Sequence, residues 1–242
     1  RERDWGKAKK FAEGQAHQRL DDLFFEFIAL ANRLRPKIVI AENVTGIIKG
    51  KAKGYVKEII EEYKKAGYDT QIFKLNAANM GVPQARERIF FISRRKDLSL
   101  PKIALSFSEE SISFGDVTGW LKRDRSETMP IPKGDLILWR KVKQGQALSV
   151  AHPKGCRFTS YKVSKNKPIR TLDTSSGVYH HSEERSLSLL EYLACSSFPV
   201  DVNWSGWSLN KSKWAMAMSV PPFMMQRIAL EVRRQWGSVL NG

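Results

Sequence analysis

Cysteine is scarce in this 242-residue sequence, and long apolar runs are missing. The two cysteines, Cys156 and Cys195, have neither the spacing of metal ligands nor that of a disulfide framework. We therefore expect no metal site and no disulfide-stapled secreted domain, and this cysteine usage suits a reducing cytoplasm. No apolar stretch approaches the roughly 20 residues that a helix needs to cross a bilayer, which argues against a membrane partner.

Acidic residues are also few relative to basic ones. The chain has 25 Asp and Glu against 41 Lys and Arg, a formal net charge of +16. This excess favours an anionic partner, and nucleic acid is the commonest candidate, with a membrane surface as the rival. Hydrophobic residues make up 42% of the chain, enough for a folded protein with a buried core.

One region has no acidic residue at all. Between Leu136 and Leu172 there are nine basic residues and none of the opposite sign. Three aromatic residues, Trp139, Phe158 and Tyr161, lie among them, a pattern typical of a surface that grips phosphates and touches bases. A plain solvated face remains the alternative. The basic residues are Arg140, Lys141, Lys143, Lys154, Arg157, Lys162, Lys165, Lys167 and Arg170.

The periodicity of apolar residues predicts an α/β fold. Apolar residues recur at helical spacing over 17–34, and β-branched or aromatic runs predict strands over 37–42, 68–75 and 88–93. A second helix over 55–66 completes a strand–helix–strand pattern. From about residue 99 to 180 the amino-acid composition becomes richer in Pro, Gly and Ser, which predicts a smaller, β-rich or irregular domain. We therefore divide the chain into domains over 1–98, 99–180 and a helical return over 181–242.

Two short motifs carry groups suited to chemistry. The strand over 37–42 runs directly into Glu42 and Asn43, and the carboxyl ends of such strands face the ligand crevice of open α/β sheets. A turn or helix cap is the structural alternative. In "GVPQARERIFFIS", Gln84, Arg86 and Arg88 alternate just before a strand, which suits recognition of phosphates and base edges. A salt-bridged strand entry would explain them equally well.

Taken in order, these motifs resemble those of the C5-cytosine DNA methyltransferases. "IAENV" is similar to the family's Glu-Asn-Val motif, and "GVPQARERIFFIS" to its Gln-x-Arg-x-Arg motif with the strand that follows. "RTLDTSSG…HHSEERSLSLLEYLACSSFP" resembles the end of the family's target recognition domain, and "MSVPPFMMQRIA" its C-terminal motif. The region over about 97–165, outside these matches, is the part that the family varies to choose a DNA sequence.

The resemblance implies a base-flipping enzyme with a Rossmann-like catalytic sheet, acting on double-stranded DNA with S-adenosylmethionine as methyl donor. It implies that Glu42 protonates N3 of a flipped cytosine, with Asn43 ordering its surroundings, and that Arg88 holds O2. Ser219 and Val220 would lie near the methyl donor. It also suggests a bacterial or phage protein of the nucleoid. Residues expected to bind nucleic acid are Gln84, Arg86, Arg140, Lys141, Lys143, Arg157, Lys162 and Lys165.

The sequence also departs from the family pattern. The family places a Gly-rich cofactor loop and a Pro-Cys nucleophile upstream of Glu-Asn-Val, and neither motif is present, since Cys156 and Cys195 lie in other contexts. Ala217 and Met218 stand where the family has Gly-Asn. We therefore expect the downstream portion of a methyltransferase, inactive alone, whose N-terminal portion lies on a partner chain or a longer chain.

Two other interpretations stay open. An inactive DNA-binding or regulatory module of the same family would also lack a nucleophile. An RNA substrate is the weaker option, because one branch of the family methylates tRNA, whereas the long basic region favours DNA.

Overall fold

A computed structural model describes residues 23–49, 52–121, 128–175, 177–199 and 201–240 of the chain. These residues form two compact units. The first unit contains the described parts of 1–75, 87–105 and 230–242, and the second contains those of 76–86 and 106–229. The predicted segment over 1–22, including the start of the expected first helix, lies outside the described residues.

The first unit is an α/β layer, as the periodicity predicts. Its elements are α1 (Leu23–Leu34), β1 (Ile38–Val44), α2 (Ala52–Lys65), β2 (Tyr68–Asn76, which ends at the unit boundary) and β4 (Glu87–Arg95). The intervening strand β3 (Gln84–Ala85) belongs to the second unit. The strands of the three-stranded sheet are ordered β1-β4-β2, and β1 runs antiparallel to β4.

Apolar residues at helical spacing, Phe24, Ile28 and Ala31, form the buried face of α1. Phe24, on the buried face of α1, meets Phe91 of β4 edge-on, with ring centroids 4.9 Å apart. Burial of two such rings is a large apolar contribution, and the edge-on geometry adds to it. Ile47 lies fully buried just after β1, within a 3₁₀ turn over Thr45–Ile48. The turn after β1 is therefore anchored in the core by this side chain.

The strand β1 is longer than the sequence suggests. Its pairing with β4 continues through Glu42↔Phe90 and Asn43↔Ile89 to Val44↔Arg88. Glu42 and Asn43 therefore lie within a paired strand rather than in the turn that follows it. Their backbone geometry is fixed by the sheet, because the ladder hydrogen bonds to β4 constrain it.

The second unit is mostly irregular, with short pieces of regular structure. The paired strands contribute two residues each: β3 pairs in parallel with β6, and β5 pairs in parallel with β7. Its core is therefore assembled from loops and short helices. The elements are α3 (Phe114–Thr118), α4 (Lys133–Lys141), β5 (Tyr161–Lys162), β6 (Ile169–Arg170), β7 (Val178–Tyr179), α5 (Leu189–Cys195) and α6 (Leu209–Met218).

The last helix, α7 (Pro222–Leu240), passes from the second unit into the first. It begins at Pro222, as expected for a proline in the first helical turn. The arginines Arg233 and Arg234 lie before its last turn, because the helix continues to Leu240. Val232 and Trp236 extend its buried face, and the Trp236 indole donates to the carbonyl oxygen of Pro101 at 3.1 Å. No helix in the described part of the chain is long and apolar enough to cross a membrane.

Candidate active site

Glu42 and Arg88 form an ion pair on the face of the sheet in the first unit. Phe90 is the direct partner of Glu42, so Arg88 lies two residues away on the same face, in the diagonal position across the two strands. The Glu42 Oε1 atom and the Arg88 Nε atom are 2.8 Å apart. The pair thus follows from strand register, which places both side chains without help from a flexible loop.

The two partners differ in exposure. The Glu42 side chain is 27% exposed and that of Arg88 only 12%. Burial lowers the pKa of the Arg88 guanidinium, although the Glu42 carboxylate opposes this shift. The Nη1 atom of Arg88 also donates to the carbonyl oxygen of Glu87 at 2.8 Å. Arg88 is therefore held in place, while Glu42 keeps part of its surface open to a ligand.

Asn43 has a local role in the structure. Its Oδ1 atom accepts a hydrogen bond from the backbone N–H of Val44 at 2.8 Å. This contact orients the end of β1 next to Glu42, which is consistent with the expectation that Asn43 orders its surroundings.

Gln84 lies buried in the second unit, 1% exposed. Its Oε1 atom accepts from the backbone N–H of Leu172 at 3.2 Å, and its Nε2 atom lies 3.3 Å from the Ser196 hydroxyl. The amide therefore joins the segment after β6 to the end of α5. A direct contact between Gln84 and DNA stays a prediction, and the bonds that it makes here are all within the protein.

Arg86 is buried as deeply, 2% exposed, and bonds to backbone carbonyls. Its Nη1 atom donates to Leu172 O at 3.0 Å, and its Nη2 atom donates to Ala217 O at 2.6 Å and Ser219 O at 3.0 Å. These carbonyls belong to two segments far apart in the chain. Arg86 thus ties the end of α6 to the segment after β6, whereas a contact with DNA remains a prediction.

The segment before α7 is fixed by the same network. The Ser219 hydroxyl donates to Ala215 O at 2.7 Å, and the Ser219 carbonyl accepts from Arg86. The Ser219 hydroxyl donates within the protein and can still accept a hydrogen bond, and its expected place near the methyl donor stays a prediction. Val220 is half-buried and can offer backbone and apolar surface only.

The predicted nucleic-acid-binding cations fall into two groups. Arg140 is bonded to the Glu184 carboxylate at 2.7 and 3.0 Å, and Arg157 to Asp135 at 3.1 Å, so both charges have acidic partners. The Lys162 ammonium lies 3.8 Å from the centre of the Trp139 ring, and partial burial lowers its pKa. Three other lysines that we expect to bind DNA are exposed: Lys141, Lys143 and Lys165.

The aromatic residues of the basic region also divide. Trp139 is buried and its indole donates to His180 O at 3.0 Å, while Tyr161 is buried beneath Arg170. Both are core residues, so the sequence expectation that they interleave with cations on a surface is wrong for them. Phe158 alone of the three is exposed.

Sequence reasoning missed a buried ion pair beside these residues. Arg185 and Glu191 are joined by two parallel hydrogen bonds of 2.8 and 2.9 Å, and Glu191 also caps the first turn of α5 with Ser188. The guanidinium lowers the pKa of Glu191 despite its burial. The capping signature Ser-x-x-Glu was available in the sequence, but the arginine partner was not marked by any motif.

Comparison with known proteins decides what these motifs belong to. A family model for C-5 cytosine-specific DNA methylases matches residues 4–234 of this chain. The chain belongs to the C5-cytosine DNA methylase family. The resemblance seen in its motifs is thereby confirmed.

Relatives of this family cover the chain to different extents. The type II methyltransferase M.FnuDI of Fusobacterium nucleatum is 44% identical over 78 residues, which are 32% of this chain and 23% of that protein. M1.HphI of Haemophilus parahaemolyticus is 27% identical over 223 residues, which are 86% of this chain and 59% of that protein. The matched part therefore spans less than two thirds of either relative.

The fold agrees with the family as well. A candidate DNA modification methyltransferase encoded within an E. coli prophage superposes with a TM-score of 0.70 at 19% identity, covering 90% of this chain and 74% of the other. At this identity the likeness speaks for the fold alone. It confirms the α/β class, with a Rossmann-like sheet, that the sequence predicts.

The two cysteines of the methylase chain do not resemble a nucleophile. Cys195 is fully buried in α5, and burial raises the pKa of its thiol, so the thiol stays protonated at neutral pH. Cys156 is exposed on a loop of the second unit, outside any Pro-Cys context. Among the described residues no cluster of His, Cys, Asp and Glu could hold a metal ion.

Proposed function

We propose that this chain is the base-activating and DNA-binding portion of a DNA (cytosine-5-)-methyltransferase. Its substrate is a cytosine flipped out of double-stranded DNA. Flipping is required because the ring atoms that react are inaccessible within the base stack. In this family S-adenosylmethionine, when bound, supplies an electrophilic methyl group.

The observation that carries the proposal is the Glu42–Arg88 pair. N3 and O2 are neighbours on one edge of cytosine, so an acid and a guanidinium 2.8 Å apart can address both atoms together. Arg88, the more buried partner, donates to O2 and keeps the positive charge beside the ring. Glu42, the more exposed partner, contacts N3.

The role of Glu42 is that of a general acid. Glu42 is ionised in its pair with Arg88, so it takes up a proton from solvent as the cytosine edge enters between the two side chains. When a thiolate then adds to C6, the electrons of the C5=C6 bond move through C4 toward N3, and that proton transfers from Glu42 to N3. The neutral adduct then carries electron density at C5 without a bare carbanion. A positioned acid of this kind contributes roughly a hundredfold to ten-thousandfold in rate.

The remaining motif residues support this site or the DNA. We assign Asn43 to ordering the end of β1, and Gln84 and Arg86 to holding the segment after β6, the end of α5 and the segment before α7. We place the target recognition domain within 99–180. The exposed lysines of this domain that would contact DNA phosphates are Lys141, Lys143 and Lys165. Arg140 and Lys162 contribute there once DNA competes with their present partners, whereas Arg157 contributes from its place beside Asp135.

The thiolate and the Gly-rich loop must come from other residues, because neither Cys156 nor Cys195 fits. We propose that an N-terminal portion of the family catalytic domain, on the same polypeptide or another, provides them. Ser219 keeps its hydroxyl within the protein, and its part is to fix the segment before α7.

Methyl transfer from a tritiated donor to duplex DNA tests the proposal. The 242-residue chain is assayed alone and together with a family segment that carries the Gly-rich loop and the Pro-Cys motif. We expect transfer in the combined sample only, and we expect Glu42→Ala to remove at least about 99% of it.

Glu26→Gln is the matched control, since Glu26 is an exposed glutamate of α1 in the same unit. It should leave the rate unchanged. Full activity of Glu42→Ala in the combined sample would show that the assigned role is wrong.

An inactive DNA-binding module of the same family is the second candidate. Met218, exposed where the family has Asn, is the observation that favours it. Duplex binding without methyl transfer in any combined sample would select this candidate.

A further inference from the structure

The loop over 152–158 in the second unit has an ordered backbone. The Nδ1 atom of His152 accepts from the backbone N–H groups of Lys154 at 3.1 Å and Cys156 at 3.4 Å. The N–H of Gly155, at a φ of 63°, bonds to the carbonyl of His152 at 2.9 Å. The conformation is therefore specified by the loop itself.

Arg157 pins the end of this loop in an unfavourable conformation. Its φ is 68°, in the left-handed region that residues with a side chain seldom occupy. The Arg157 Nε atom lies 3.1 Å from Oδ1 of Asp135, and Oδ2 of this buried carboxylate accepts from the Tyr179 hydroxyl at 2.6 Å. Strain of this kind persists where the surroundings over-determine it, commonly at sites that bind a ligand.

This ordered loop carries Phe158, which is 73% exposed. It follows Lys154 and Arg157 in a stretch that contains no acidic residue from 136 to 172. An exposed phenyl ring on a fixed loop offers a flat apolar face that can stack on a planar partner at little conformational cost. Lys154, exposed in the same loop, adds a positive charge, and nucleic acid bases joined by phosphates match this combination of a flat apolar face and a cation.

We propose that Phe158 contacts a base of the bound DNA and helps to select the sequence, while Lys154 holds a neighbouring phosphate. The inference rests on the proposed DNA-binding function and adds to it a specificity-determining residue. The Phe158 ring and the Lys154 ammonium should affect DNA binding in different, separately measurable ways. Loss of the ring weakens base stacking at unchanged phosphate contact, whereas loss of the cation removes one counterion-releasing contact.

The test is binding of the protein to a pool of random duplexes, followed by sequencing of the bound fraction and titration of the enriched duplex at several salt concentrations. Phe158→Ala should weaken binding roughly 5- to 150-fold with an unchanged salt slope, and lose selectivity at one or two adjacent base pairs. Phe158→Trp should retain both properties. Lys154→Ala should enrich the same sequence and reduce the salt slope by about 0.9.

Ile137→Ala is the control, because Ile137 is another exposed apolar residue of the second unit. Thermal unfolding should be the same for all these variants, as the side chains removed are exposed. If Phe158→Ala binds as tightly as Ile137→Ala and enriches the same sequence, the inference fails and DNA binding stands. If the native protein binds no duplex, the inference and the proposed function both fail.

Discussion

Replacing Arg86 by alanine should lower the free energy of unfolding by about 3 to 5 kcal/mol. The guanidinium donates to three carbonyl oxygens, those of Leu172, Ala217 and Ser219, at 2.6 to 3.0 Å. Each hydrogen bond from a charged donor contributes roughly 1.5 to 3 kcal/mol, and an unpaired buried carbonyl is costly. The sum is reduced because the alanine variant no longer buries a charge, which gives the stated range.

Urea unfolding followed by far-UV circular dichroism measures this change. The midpoint should fall with an unchanged slope, and Arg86→Lys should recover only part of the loss, because an ammonium cannot reproduce the planar fork. Arg233→Ala is the control, since Arg233 is an exposed arginine of α7 and its removal should stay within about 0.5 kcal/mol. If Arg86→Ala unfolds at the same urea concentration as Arg233→Ala but no longer binds DNA, the side chain is a DNA ligand and the structural role is refuted.

Three further predictions follow from the second unit. Burial lowers the pKa of His180 to about 4 from its ordinary 6.5, so the unfolded chain binds a proton that the folded chain does not between these values. Stability should therefore fall by up to about 3 kcal/mol as the pH is lowered from 6.5 to 4, and His180→Asn should remove this component in unfolding titrations. Arg185→Met should destabilise by about 3 kcal/mol in urea, because it leaves the buried Glu191 carboxylate unpaired, and a native-like midpoint would contradict this. Lys141→Ala and Lys143→Ala should each reduce the salt slope of duplex binding by about 0.9, whereas tighter binding to tRNA than to duplex DNA at one salt concentration would favour an RNA substrate.

The strand that carries Glu42 could be predicted because its signal is local. The apolar run of β1 and the position of Glu42 at its end lie within a few residues, and Arg88 directly precedes the apolar run of β4. The order of the motifs then identified the family. The register that joins Glu42 to Arg88 needed the structure, since it depends on where β4 pairs.

The long-range hydrogen bonds of Arg86 and Arg140 could not be predicted in this way. Arg86 bonds to carbonyls 86 to 133 positions further along the chain, and backbone acceptors carry no sequence signature. An arginine in such a motif is therefore indistinguishable from a phosphate ligand until its partners are seen. The same holds for Arg140, whose partner Glu184 is 44 residues away, beyond the acid-free region that suggested a free basic surface.

Aromatic residues show a related limit. Trp139 and Phe158 have the same basic neighbourhood in the sequence, yet one is in the core and the other is exposed. Trp139 packs in the core, where its indole N–H donates to the carbonyl of His180, whereas Phe158 follows the left-handed backbone of Arg157 on an exposed loop. Such differences arise from tertiary contacts that composition does not record.

The central claim, that Glu42 activates cytosine, is tested most directly by hydrogen exchange at C5 without a methyl donor. Addition of a thiolate to C6 with protonation of N3 makes C5 exchange its hydrogen with water, so tritium release from [5-³H]cytosine in duplex DNA reports activation alone. With the Pro-Cys segment supplied, we expect the native chain and Glu26→Gln to release tritium and Glu42→Gln to be at least about 100-fold slower. Release by Glu42→Gln at the native rate would contradict the account.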